Sequence, residues 1–151
     1  KEIEQRVANG GSPAFEDGQK ILAQYTGWGG LSDAFDPNKS AWSNEYSQLK
    51  AALSESEYEA ARSSTLTAFY TPATVIHPIY RALERFGVKG GKILEPSMGT
   101  GAFLAHGHFG SSDAKFYGVE LDSITGRISK QLYQKANIQV TGYENALLPD
   151  N

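Results

Sequence analysis

One stretch constrains this chain more than any other: Lys92-Ile93-Leu94-Glu95-Pro96-Ser97-Met98-Gly99-Thr100-Gly101-Ala102-Phe103-Leu104. Lys92-Ile93-Leu94 follows the break Gly90-Gly91, is short and apolar, and ends on the carboxylate of Glu95. That is the pattern of a buried parallel strand delivering a polar group to the ligand edge of a sheet. Gly99 and Gly101 open backbone angles closed to other residues and let a ligand lie against bare backbone. The helix predicted to begin near Gly101 offers free N–H groups at the same place. Strand, glycine loop and helix together predict an α/β fold with a site around Glu95, Pro96, Ser97, Gly99, Gly101 and Phe103.

Residue types narrow the ligand. A phosphate-cradling P-loop needs Lys and then Ser or Thr after its last glycine, whereas Ala102-Phe103 follow Gly101. A dinucleotide fingerprint needs a third glycine where this chain has Leu104. NAD or FAD is thereby a third-ranked reading. A ligand without phosphates remains, and S-adenosylmethionine (SAM) suits it: the acid faces its ammonium group and the loop its carboxylate. A second apolar strand, Lys115 to Glu120, ends in Glu120-Leu121-Asp122, and Glu120 lies 25 residues after Glu95. An acid at about that spacing meets ribose hydroxyls in nucleotide-binding folds.

Phe69-Tyr70-Thr71-Pro72, Glu95 to Leu104 and Gly118-Val119-Glu120-Leu121-Asp122 resemble, in this order, the first three SAM-binding motifs of adenine-N6 DNA methyltransferases of the gamma arrangement. Leu22 to Leu31 and Thr125 to Tyr133 look like the large methyltransferase and helicase fusion proteins of conjugative elements and phages. The resemblance implies a partial Rossmann-like, SAM-dependent methyltransferase fold over residues 67–151, preceded by an α-helical extension over residues 1–66. It implies that Thr71 touches the methionine part of SAM and that Tyr70 and Leu121 also belong to the cofactor site. Tyr143 and Glu144, after the third predicted strand, would then meet the adenine ring and its amine. The family's polar tetrad, Asn or Asp followed by Pro-Pro and an aromatic, is missing from this chain and is expected soon after Asn151. The expectation is therefore an inactive SAM-binding segment whose parent protein methylates adenine in DNA. The alternative is a non-catalytic scaffold serving a helicase or mobile-element protein.

Composition bounds the partners. The 151 residues are 40% hydrophobic and 21% charged, as in an ordinary globular domain, and contain no cysteine, which excludes disulfides and thiolate metal sites. The net charge of −3 argues against a strong grip on DNA by this segment alone, so DNA and a fused helicase domain are partners expected of the parent. No stretch reads as a membrane span or a signal peptide, which predicts a cytoplasmic protein.

In order along the chain, Lys1 to Ala8 predicts a helix closed by Asn9-Gly10-Gly11, and Ser12-Pro13 opens a second helix reaching Tyr25. Trp28 among three glycines is expected to anchor a tight loop by burial, the alternative being an aromatic platform for a base or for adenine. Helices follow over Asn44 to Leu53 and, behind the capping box Ser54-Glu55-Ser56-Glu57, to Leu66. Thr71 is expected to cap a helix carrying the apolar stripe Val75, Ile76, Ile79, Tyr80 and Leu83. His106-Gly107-His108 lacks a third ligand of suitable spacing, so no metal is expected. In the helix Ser123 to Ala136 the apolar positions point inward and Arg127, Lys130 and Lys135 outward, and Ile138 to Thr141 is a third strand.

Overall fold

A computed structural model describes residues 1–107 and 114–149. Among them are seven α-helices and one parallel sheet: α1 (Glu2–Ala8), α2 (Glu16–Leu22), α3 (Ser43–Ala52), α4 (Glu55–Ser64), α5 (Ala73–Arg85), β1 (Lys92–Glu95), α6 (Ala102–His106), β2 (Lys115–Glu120), α7 (Ser123–Leu132) and β3 (Asn137–Val140). The strand order is β1-β2-β3, both pairings parallel, with α6 and α7 in the connections. The mixed α/β class expected from the sequence is therefore present.

The register matters for the site. Glu95 stands opposite Gly118, and Glu120 stands opposite Val140. Glu120 thus lies two residues beyond the end of β1, a step of roughly 6–7 Å at the usual strand rise. It reaches the level of the glycine loop, whereas Glu95 stays below it. The ladder continues past β1, since the Met98 N–H donates to the Val119 carbonyl at 2.9 Å, and Met98 and Val119 are both buried.

Helix α7 lies close on the sheet because Gly126 lets it. A methyl group there would stand 2.8 Å from Val140 Cγ2 and 3.3 Å from Glu120 Cβ. Beneath the N-terminal helices a second core forms around Phe35, Tyr58, Ala34 and Ala61, with Trp28 packed against it. Trp28 meets Phe35 edge-on at 5.6 Å between ring centres, and the Tyr58 hydroxyl donates to the Phe35 carbonyl at 3.1 Å. Such ring pairs contribute about 0.5–1.5 kcal/mol beyond the area they bury. The expected burial of Trp28 is met in part: its ring is half-buried, and its Nε1 is enclosed without an acceptor among the described residues.

Several local expectations are corrected. Helix α2 starts at Glu16, not Pro13, because the Ala14 backbone is used elsewhere: its N–H donates to Gln131 Oε1 and its carbonyl accepts from Gln134 Nε2. Thr71 does not cap α5, whose N-cap is Pro72 with no side-chain bond. On α5 only Ile76 and Tyr80 are buried, while Val75 and Ile79 are exposed. Arg127 is not on a solvated face, since its guanidinium pairs with Glu4 and, at 2.7 Å, with Glu57. Ser54 does form the predicted capping box with Glu57, through bonds of 3.3 Å and 2.8 Å. His108 lies outside the described residues. No group of three or more candidate metal ligands occurs among the described residues, and no described helix is long and apolar enough to cross a membrane.

Candidate functional site

The glycine loop is held from both sides. Glu120 Oε2 accepts from the Gly99 N–H at 2.8 Å, and its Oε1 accepts from the Asp122 N–H at 2.8 Å. Ser129 Oγ, fully buried on α7, donates to the Gly99 carbonyl at 2.8 Å. Gly99 and Gly101 adopt left-handed backbone angles, φ +54° and +82°, which glycine reaches without strain. The Tyr70 ring lies against this loop. A methyl on Gly99 would stand 2.5 Å from Tyr70 Cε1, and a methyl on Gly27 would stand 2.5 Å from Tyr70 Oη. One aromatic side chain therefore joins the loop after β1 to the loop after α2.

A cavity of 660 Å³ opens beside these groups. One wall is Ser97, Gly99, Glu120, Leu121, Asp122 and Thr125, and the other runs along α4 and the segment after it, from Glu59 through Ser63 and Ser64 to Phe69 and Tyr70. The volume suits one drug-sized or nucleoside-sized molecule. The cavity is acidic, with Glu59, Glu120 and Asp122 on its walls, and no Lys, Arg or His among the described residues lining it. Leu121 and Phe69 are 76% and 70% exposed, so two apolar side chains stand free at the mouth.

The structure brings together Tyr70, Ser97, Gly99, Glu120 and Leu121 of the residues expected from the sequence. Thr71, Glu95, Pro96, Gly101, Phe103, Tyr143 and Glu144 are not among those lining the cavity. Glu95 is half-buried at the end of β1, where desolvation raises its pKa above the usual carboxylate value and the Ser97 N–H partly offsets the rise. Its charge, behind burial, also helps push the Tyr80 phenol up. Phe103 is on α6, with its carbonyl accepting from Tyr80 Oη at 2.8 Å. Gly101 is the N-cap of α6, and Thr71 and Pro96 flank the loops without a wall position. Tyr143, 53% exposed, begins a 3-10 turn beyond β3, and Glu144 accepts from Asn145 Nδ2 at 3.0 Å.

Two contributions went unread in the sequence. Asp122 caps α7 through the Ile124 N–H at 2.9 Å and accepts from Thr125 Oγ1 at 2.7 Å, and Tyr25 Oη sits 3.0 Å from the same hydroxyl. Burial pushes the Tyr25 phenol well up. The α4 wall was also missed, although Glu59 and Ser63 four residues apart on a predicted helix form a polar stripe that could have drawn notice.

A second cavity of 290 Å³ borders α1, α4 and α7 around the ion pairs of Arg127. Its acids are committed. Glu57 is held well below the usual carboxylate range by Lys1, the Ser54 N–H and Arg127, and the Glu4 pKa is lowered chiefly by Arg127.

No protein-family model matches the chain, and no solved structure matches it significantly. It is similar to "Defense against restriction protein B" of Escherichia phage P1, 26% identical over 134 residues. The match covers 89% of this chain and 4% of that protein, so the chain spans about 4% of the length of the relative. This finding overturns the methyltransferase expectation: the curated relative is named for defence against restriction, and the resemblance to adenine-N6 methyltransferases, with the enzymatic activity drawn from it, is withdrawn. The relative is a phage protein.

Proposed function

We propose that this chain is a ligand-binding module of a larger phage-type protein that counters restriction, and that its cleft takes a nucleoside ligand without phosphates, SAM being the candidate. The observation that carries the reading is the cavity itself: a glycine loop and an acid-tipped strand line it, and none of its described lining side chains is basic. Phosphates are anionic and are normally met by Lys, Arg or free helix N–H groups. Here they would face Glu59, Glu120 and Asp122. A neutral or cationic ligand meets the opposite situation, with Phe69 and Leu121 free to flank a flat ring.

The parallel order β1-β2-β3 with helices in the connections supports a Rossmann-like arrangement, in which ligands bind outside the carboxyl ends of the strands. Role in defence against restriction is drawn from the relative's name. Titration calorimetry of the 151-residue chain with SAM tests the reading. Saturable binding is expected, weakened more than about tenfold by Glu120→Ala, because that change frees Gly99 and Asp122 N–H groups and loosens the loop. NADH is expected not to bind. Heat-silent mixing with SAM, confirmed by an unchanged melting curve, would remove the assignment.

A further inference from the structure

The acids of the cleft differ in what they have left to offer. Both Glu120 oxygens accept backbone N–H groups, and both Asp122 oxygens are bonded within the start of α7. Glu59 is different: its carboxylate is 53% exposed and its contact with Arg62 is long, 3.5 Å. Ser63, one helical turn on, and Thr67 line the same wall, and their hydroxyls have no partner among the described residues. Glu95, the acid expected to meet an ammonium group, is absent from the cavity walls.

We propose that the α4 wall is a subsite for a cationic amine, with Glu59 holding the ammonium end of a ligand whose nucleoside lies against Phe69, Glu120 and Leu121. This rests on the ligand-binding reading of the cleft given above. The N-terminal helical segment then selects the ligand as well as supporting the fold: a carboxylate held only by a long, solvent-exposed contact with Arg62 attracts the cation, and the two hydroxyls accept its remaining N–H groups.

The experiment compares SAM with 5′-methylthioadenosine, which keeps the nucleoside and lacks the amino-acid end, on the wild-type chain and on Glu59→Gln. Charged hydrogen bonds of this kind predict that Glu59→Gln weakens SAM about tenfold and leaves 5′-methylthioadenosine within about twofold. Glu59→Asp is expected to recover part of the loss. Equal weakening of both ligands, or no change in either, overturns the subsite while leaving the cleft's ligand in place. Failure of the wild type to bind either ligand overturns the cleft reading as well. Because Glu59 is an exposed helical position, an unchanged melting curve for the variant separates lost recognition from lost folding.

Discussion

Ser129 donates through Oγ to the carbonyl oxygen of Gly99 at 2.8 Å, while the N–H of that glycine is taken by Glu120. The peptide groups around Gly99 are thus fixed by two side chains from β2 and α7. Ser129→Ala leaves a buried carbonyl unpaired and is expected to cost about 1–3 kcal/mol. That corresponds to a melting point lower by roughly 2–10 °C for a chain of this size. A melt that matches the wild type would show that the loop does not depend on this bond.

Gly99→Ala tests the other constraint on the same residue. A side chain at φ +54° is strained, and its methyl would stand 2.5 Å from the Tyr70 ring. The expected loss is about 1–3 kcal/mol. Pairing it with Tyr70→Ala relieves the clash but not the strain, so the double variant is expected to be less destabilised than the sum of the two single ones. Simple additivity in thermal melts would count against the packing of Tyr70 on the loop.

Acid stability should reflect the pairs around Arg127. The pKa values of Glu57 and Glu4 are lowered from the usual 4.5 in the folded chain. A depressed carboxylate contributes stability that is complete above its unfolded pKa and is lost as the pH falls through the folded value. Stability is therefore expected to be flat near neutrality and to drop below about pH 4.5. Arg127→Ala should make that drop shallower and lower neutral stability by about 1–2 kcal/mol, a modest figure because the Glu4 pair is partly solvated. Urea unfolding at several pH values reads both effects.

In the N-terminal core, Phe35→Ala and Trp28→Phe should part company. Phe35 is 4% exposed, and its truncation leaves a cavity worth about 3–5 kcal/mol. Trp28→Phe also loses volume, but it removes an Nε1 donor enclosed without an acceptor among the described residues. The two effects oppose one another, so its net cost is expected within about 1 kcal/mol. Chemical denaturation of the two variants compares them directly.

How far the sequence could be read follows from the range of the interactions. The strand before Glu95, the glycine loop and the Ser54 capping box were legible because each is set by residues within a few positions. The role of Ala14 was not, since Gln131 and Gln134 claim its backbone from more than a hundred residues away. Arg127 was misread for the same reason: helical periodicity put it outward, and nothing local announced Glu4 on α1. At the site, Glu120 lines the cavity while Glu95 does not, and the two-residue step between them depends on strand register, which no local pattern announces. Methyltransferase chemistry was inferred from short motifs alone, and such motifs specify loop geometry more strongly than the reaction carried out beside it.

The Tyr70 ring, wedged between Gly27 and Gly99, makes residues 1–66 more than an appendage. A proteolytic cut at that boundary would strip the cleft of its α4 side and leave the ring facing solvent where Gly27 had been. The two halves should accordingly melt as one cooperative unit, and a fragment beginning at Thr67 should be poorly folded even though it keeps β1, β2 and β3.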